Sequence, residues 1–93
     1  MPQDGNSMAK VTIYTTMMCP FCHYAKRLLT AKEVGFEEID VTFSPAKRRE
    51  MTELAGSRSV PQVFVDGRHV GDCDRLHSLD AAGRLDPILA GTA

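Results

Sequence analysis

Two cysteines separated by two residues are the side chains best suited to chemistry in this 93-residue chain. Cys19 and Cys22 form a Cys-Pro-Phe-Cys segment, a spacing at which two thiols can close a reversible disulfide. The proline after Cys19 is typical of the first turn of a helix, whose free N–H groups and dipole favour a thiolate over a thiol. We therefore predict that Cys19 is a nucleophile and that Cys22, one turn further in, is the resolving thiol.

The same spacing also forms half of a zinc site, which needs further ligands downstream. The chain has a third cysteine, Cys73, and three histidines, but no second pair of close cysteines. Pro20 and the predicted helix start favour redox chemistry, so we expect no metal site. An odd number of cysteines does not fit the disulfide framework of a small secreted domain, which indicates a reducing, cytoplasmic environment.

Length and composition indicate one small, soluble domain that is 43% hydrophobic and 25% charged. A formal net charge of -1 provides no general attraction to nucleic acid or to an anionic membrane. The apolar runs are far shorter than the roughly 20 residues of a membrane-spanning helix, and the polar first residues lack the features of an export signal. We expect a monomer with a domain at residues 10–90, a flexible N-terminal tail at 1–9 and a C-terminal tail at 91–93, and no nucleic-acid or membrane partner.

Hydrophobic periodicity predicts a strand–helix–strand unit in the first half of the chain. Residues 11–15 alternate β-branched and aromatic side chains, as expected for a strand. A helix follows from Pro20, with Phe21 on its apolar face and an end at Gly35. A second strand is predicted over residues 36–41.

The second half of the chain predicts a helix, a hairpin and a further helix. Ser44, followed by a proline, is expected to cap a helix that runs through Met51 and Leu54 to a stop at Gly56. An Asp-Gly turn at residues 66–67 predicts a β-hairpin. Asp72 or Asp74 can cap the last helix, which is followed by a closing turn. The predicted order is βαβαββα, an α/β fold with a mixed four-stranded sheet flanked by helices.

Three segments, at residues 14–22, 59–64 and 71–74, resemble the glutaredoxins in order and spacing, in particular the dithiol class of bacteria. The resemblance covers residues 10–89 and implies a thioredoxin-like fold. It also implies that glutathione is the reducing co-substrate, with no tightly bound cofactor, and that protein disulfides and glutathione mixed disulfides are reduced. The implied partners are glutathione and disulfide-containing or glutathionylated proteins, with ribonucleotide reductase as one candidate.

The resemblance also implies how glutathione is bound. It implies a cis peptide before Pro61 whose Val60 backbone pairs with glutathione, while Cys73 and Asp74 hold the γ-glutamyl end. Such pairing is β-strand addition by an extended peptide. The glutathione-binding residues expected from this likeness are Thr16, Phe21, Arg58, Ser59, Val60, Pro61, Cys73 and Asp74.

This chain departs from the glutaredoxin pattern at the end of the site that would hold the glycyl carboxylate. Thr16 stands where many glutaredoxins have a lysine, so another cation is expected there. Arg48, Arg49 and Arg58 are the candidates. Cys73 is interpreted as a small buried residue in preference to a third redox thiol.

Two other functions are compatible with a C-x-x-C redoxin. One is a redoxin reduced by thioredoxin reductase, although redoxins of that kind typically lack the Cys73–Asp74 pair and thioredoxins usually have a tryptophan that this chain does not contain. The other is a carrier of a [2Fe-2S] cluster held by Cys19 and glutathione from two copies of the chain. Carriers usually have glycine or serine after the first cysteine, so Pro20 disfavours this function.

Overall fold

A parallel βαβ unit forms the first half of the chain. The computed structural model describes residues 9–92, so residues 1–8 of the predicted N-terminal tail and residue 93 lie outside the described residues. Strand β1 (Val11–Thr15) pairs in parallel with β2 (Phe36–Asp40), and helix α1 (Pro20–Ala31) connects them. Ala9 packs against the main core.

The second half of the chain adds strands on the side of β1 opposite to β2, together with further helices. They are helix α2 (Pro45–Ala55), strands β3 (Gln62–Val65) and β4 (Arg68–Gly71), and helices α3 (Cys73–Ala81) and α4 (Leu85–Leu89). The sheet order is β2-β1-β3-β4, with β3 antiparallel to both of its neighbours. The predicted mixed four-stranded sheet is confirmed, and the predicted closing turn is a short fourth helix, α4.

Two apolar clusters hold the helices against the sheet. The larger one joins strands β1 and β3 to helices α1, α3 and α4. Its buried members are Val11, Ile13, Ala25, Leu29, Val63, Val65, Cys73, Leu76, Leu85 and Leu89. The smaller cluster includes Met51 of α2 and consists of Tyr14, Val41, Met51 and Phe64. Within residues 9–92, no helix has the length and apolar composition that crossing a bilayer requires.

Phe21, which was predicted on the apolar face of its helix, is exposed instead, and so is Leu54. Phe21 is 62% exposed and Leu54 is 56% exposed. Helix α1 buries Cys22, Ala25 and Leu29, which leaves Phe21 beside a groove between α1 and α3. Helix α2 is anchored mainly by Met51, so Leu54 has no core to enter. The prediction for Phe21 was wrong because the buried stripe of α1 is narrower than its apolar pattern.

Helix α1 also ends earlier than predicted. Its last helical residue is Ala31 and Lys32 is its C-cap, and the left-handed residue after it is Glu33 (φ 60°) where Gly35 was expected to end the helix. The Lys32 ammonium lies 2.6 Å from Asp80 and 2.9 Å from Asp86. This pair of contacts ties the end of α1 to α3 and α4, and ion pairing replaces a glycine as the feature that fixes this terminus.

Gly71 sets the path of the chain into helix α3. Its φ is +143°, and a Cβ at this position would lie 2.5 Å from Cγ and 2.6 Å from Cβ of Arg75. Both atoms belong to the part of the Arg75 side chain nearest its own backbone, so they cannot easily move away. A residue without a Cβ is therefore required just before the α3 N-terminus.

We expect Gly71→Ala to lower the free energy of unfolding by about 1–3 kcal/mol, because it combines an unfavourable φ with a steric clash. Gly67→Ala is the matched control, since Gly67 also has a positive φ (+81°) but no atom within 4 Å of the added Cβ. The control should cost about 1 kcal/mol. Urea unfolding of both variants measures the difference, and equal losses would contradict the proposed clash with Arg75.

Candidate active site

Cys19 occupies the N-cap of helix α1, with Pro20 as the first helical residue. The Cys22 backbone N–H donates a hydrogen bond to Cys19 Sγ at 3.1 Å. A sulfur at this position replaces the oxygen of the usual capping side chain and meets the positive end of the helix dipole. The predicted placement of Cys19 at the helix N-terminus is confirmed.

Cys22 lies below Cys19 and is only 2% exposed. Burial, followed by the side-chain hydrogen bond with Cys19, raises the pKa of the Cys22 thiol to about 12. The Thr16 backbone hydrogen bond and the charge of Lys26 act in the opposite direction on this pKa. In the reduced protein at neutral pH, Cys22 is therefore a protonated thiol beside the more accessible Cys19.

The loop that precedes β3 brings a backbone carbonyl next to Cys19. The Val60–Pro61 peptide is cis, as expected from the resemblance, and the Val60 carbonyl oxygen lies 3.8 Å from Cys19 Sγ. Pro61 is buried and Val60 is half-buried. The backbone of Val60 thus lies at the edge of the site, where an extended peptide could reach it.

Two side chains, Arg48 and Gln62, hold this loop in roles that the sequence did not predict for them. The Arg48 guanidinium donates to the Arg58 carbonyl oxygen through Nε at 3.3 Å and Nη2 at 2.9 Å. Gln62 is 2% exposed, and its Nε2 donates to the Ser59 carbonyl oxygen at 3.0 Å. Gln62 Oε1 also lies 2.7 Å from His69 Nε2. The position of Gln62 directly after Val-Pro was a signal that could have identified it.

The start of helix α3 forms the third part of the site. Asp72 is the N-cap, and its carboxylate accepts the Arg75 backbone N–H at 2.9 Å. Cys73 is buried at 6% exposure within the larger core cluster, and Asp74 is exposed in the first turn. Burial, and then the charges of Asp72 and Asp74, raise the pKa of the Cys73 thiol. The interpretation of Cys73 as a buried small residue is confirmed.

Apolar side chains border the site on both sides of Cys19. Phe21 and Tyr24 are in edge-to-face contact, with ring centroids 6.5 Å apart, and line a groove that reaches Cys73 and Asp74. On the other side, Met17 and Met18 line a shallow pocket with Cys19. Met18 is 91% exposed. Such flexible thioethers suit contacts with varied protein surfaces.

A polar network connects strands β1 and β2 to helix α1 near the thiols. The Thr15 hydroxyl donates to the Glu38 carboxylate at 2.7 Å, and the Lys26 ammonium lies 3.0 Å from the same oxygen. The hydrogen bond from Thr15, followed by that from Lys26, lowers the pKa of Glu38. This network orients Lys26, whose charge favours the thiolate form of Cys22.

The residues expected to bind glutathione differ in their exposure and in their contacts within the chain. Thr16 is half-buried and contacts Cys22 through its backbone. Ser59 and Arg58 are exposed in the loop before Pro61. Of the three candidate cations, Arg48 is committed to the Arg58 carbonyl. The structure therefore leaves Arg49 and Arg58 as candidates for the glycyl carboxylate.

Comparison with known proteins agrees with this arrangement. The family model described as Glutaredoxin matches residues 11–70. Glutaredoxin 3 of Escherichia coli (strain K12) is 51% identical over 82 residues, which covers 88% of this chain and 99% of that protein. A glutaredoxin of Pseudomonas aeruginosa is 48% identical over 83 residues, covering 89% of this chain and 99% of that one.

Solved structures show the same fold. The solution structure of glutaredoxin from Brucella melitensis superposes with a TM-score of 0.83 at 44% identity, covering 94% of this chain and 95% of that one. Wheat glutaredoxin superposes with a TM-score of 0.80 at 30% identity, covering 92% and 86% of the two chains. The predicted thioredoxin-like fold is confirmed. With a C-x-x-C pair at the start of α1 and a family match that covers more than half of its length, the chain belongs to the glutaredoxins, which are glutathione-dependent thiol-disulfide oxidoreductases.

Proposed function

We propose that this protein reduces protein disulfides and glutathione mixed disulfides with Cys19 as the nucleophile and Cys22 as the resolving thiol. The placement of the two sulfurs is the observation that supports these roles. Cys19 is partly exposed at the helix N-terminus, whereas Cys22 is buried and protonated. Only the first sulfur is both accessible and placed at the positive end of the helix dipole.

The reaction proceeds by two thiol-disulfide exchanges. The Cys19 thiolate attacks one sulfur of the substrate disulfide, forming a mixed disulfide with Cys19 and releasing the other sulfur as a thiolate. With a protein substrate, Cys22 then attacks Cys19 and releases the substrate as a thiol, which leaves a Cys19–Cys22 disulfide. Two molecules of glutathione reduce this disulfide and become oxidised glutathione. With a glutathionylated substrate, Cys19 takes the glutathione and a second glutathione can release it.

The surroundings of Cys22 support this order of events. The hydrogen bond with Cys19 and the charge of Cys19 both raise the pKa of Cys22. Once Cys19 has formed a mixed disulfide, its charge is gone and both influences weaken. The Thr16 backbone hydrogen bond and Lys26 remain, and both favour the Cys22 thiolate. The resolving thiol therefore becomes easier to deprotonate only after the first step.

Glutathione fits across the three segments that meet at Cys19. The Val60 backbone can pair with the cysteinyl part of an extended tripeptide. The backbone N–H groups at the start of α3 suit the γ-glutamyl carboxylate, and the Asp74 carboxylate suits the ammonium group beside it. Arg58 is exposed in the same loop as Val60, which supports it as the cation for the glycyl carboxylate.

Glutathione keeps thiols reduced in the cytoplasm, so a glutathione donor supports the cytoplasm as the location of this protein. We propose that it acts there on protein substrates as a monomer.

The donor distinguishes this function from that of a redoxin served by thioredoxin reductase. Turnover of a small glutathione mixed disulfide should be fast with glutathione, glutathione reductase and NADPH. Turnover with thioredoxin reductase and NADPH should be slow, and the opposite result would contradict the proposed donor.

We expect iodoacetamide to modify Cys19 alone in the native reduced protein between pH 6 and 9. A pKa of about 12 leaves Cys22 almost entirely protonated in this range, and Cys73 is buried with a raised pKa. Mass spectrometry of peptides from the alkylated protein identifies the modified residue. All three cysteines should react in urea, which serves as the control, and early native labelling of Cys22 would reverse the assigned roles.

The two active-site cysteines should respond differently to substitution. Cys19→Ser should abolish reduction of both substrate types, because no other described thiol is at a helix start and exposed. Cys22→Ser should abolish reduction of protein disulfides but retain turnover of glutathione mixed disulfides, in which glutathione can resolve the intermediate. Steady-state assays with one substrate of each type measure this. An inactive Cys22→Ser and an active Cys19→Ser would be incompatible with the proposal.

Asp74→Ala should raise the KM for glutathione by about three- to tenfold, because an exposed charge-assisted contact is lost. Asp72→Asn is the matched control. It removes the same charge two residues away, at a position where asparagine still caps the helix. The KM for glutathione should therefore change less in Asp72→Asn than in Asp74→Ala. An unchanged KM in Asp74→Ala would mean that the γ-glutamyl end binds elsewhere.

A further inference from the structure

A second concave surface lies between the β3–β4 hairpin and the turn that joins α3 to α4. Its volume is about 460 Å³, which is within the range of small-molecule sites. It shares no lining residue with the grooves that contain Cys19 and Cys73. The redox chemistry described above therefore gives no account of this cleft, which is called the arginine cleft below.

Positive charge is concentrated in the arginine cleft. Three of the seven arginines in the chain, Arg68, Arg75 and Arg84, line it together with His69. Asp66 is the one carboxylate among its lining residues in the described part of the chain. Asp66 Oδ1 already accepts the Lys10 backbone N–H at 2.9 Å. Bringing the guanidinium groups of Arg75 and Arg84 to one concavity is electrostatically unfavourable unless an anion compensates them.

Nearby carboxylates do not pair with the Arg75 or Arg84 side chains. Asp80 and Asp86 contact the Lys32 ammonium, and Asp72 caps helix α3 through the Arg75 backbone N–H. Within residues 9–92, the side chains of Arg75 and Arg84 have neither an ion pair nor a hydrogen bond. Two guanidinium groups are thus available to a ligand at the cleft.

The arginine cleft also has an apolar wall, which a simple anion would leave uncovered. The wall is formed by side chains from the hairpin, α3 and α4, namely Val65, Val70, Leu79, Pro87 and Ile88. We propose that the arginine cleft binds a small organic polyanion, with a diphosphate group on Arg75 and Arg84 and an apolar ring against this wall. A nucleoside diphosphate has this chemistry, and guanidinium groups match phosphate oxygens in a bidentate manner.

Calorimetric titration with ADP, pyrophosphate and adenosine tests both parts of the proposal, the diphosphate group and the apolar ring. ADP should bind saturably and more tightly than pyrophosphate, and adenosine should not bind measurably. Pyrophosphate binding as tight as that of ADP would overturn the assignment of an apolar group to the ligand. The absence of ADP binding up to millimolar concentration would overturn the proposal as a whole.

The double variant Arg75→Gln/Arg84→Gln should weaken ADP binding by at least about tenfold, as loss of charge-assisted contacts predicts. Lys47→Gln/Arg49→Gln removes the same number of positive charges from α2 and should weaken binding much less. Thermal unfolding of each variant verifies that it is folded. Equal weakening in the two double variants would show a general charge effect and contradict a defined site.

Backbone amide shifts in an ¹⁵N-labelled sample locate the bound ADP. Shifts should be largest at His69, Gly83 and Arg84, and small at Cys19 and Asp74. Shifts centred on Cys19 and Asp74 would mean that ADP occupies the proposed glutathione site, which would overturn the arginine cleft as a separate site. The chemical shifts do not depend on redox activity. They therefore test ADP binding at the arginine cleft even if the proposed redox function is wrong.

Discussion

The hydrogen bond from the Cys22 backbone N–H to Cys19 Sγ is the contact on which the rest of the site depends. Cys19 Sγ is both the proposed nucleophile and the atom that caps helix α1. The same atom therefore serves the reaction and the start of the helix. A capping sulfur cannot turn away without exposing unsatisfied N–H groups of α1. Pro20 supports the same geometry because its φ suits the first helical position and it requires no partner.

Two other parts of the chain converge on this contact, and a different set of interactions holds each of them. The cis peptide before Pro61 is held by Arg48 and Gln62 acting on neighbouring carbonyl groups. The start of α3 is directed by Gly71 and by the Asp72 cap. The loop offers the Val60 backbone and the start of α3 offers backbone N–H groups, a suitable arrangement for a ligand that is itself a peptide.

The sequence predicted most of the fold and both active-site thiols, because these depend on local signals. Alternation, caps and the Asp-Gly turn act over a few residues, so they can be seen without knowledge of tertiary structure. Phe21 was misplaced, since whether an apolar side chain is buried depends on which element lies opposite. The role of Arg48 was also missed, because its partner, the Arg58 carbonyl, is a backbone group that no residue type reveals.

The Lys32 contacts with Asp80 and Asp86 have a mechanical consequence for the groove between α1 and α3. Helices α1 and α3 both begin at the site, and the Lys32 contacts join them near their opposite ends. A change in the width of the groove between them is therefore a rotation about those contacts. Helix α1 has 12 residues and so acts as a lever about 18 Å long. A rotation of only about 5° would move Cys19 by about 1.6 Å on a lever of this length. A rotation of this size at the Lys32 contacts would therefore change the width of the groove at the thiols.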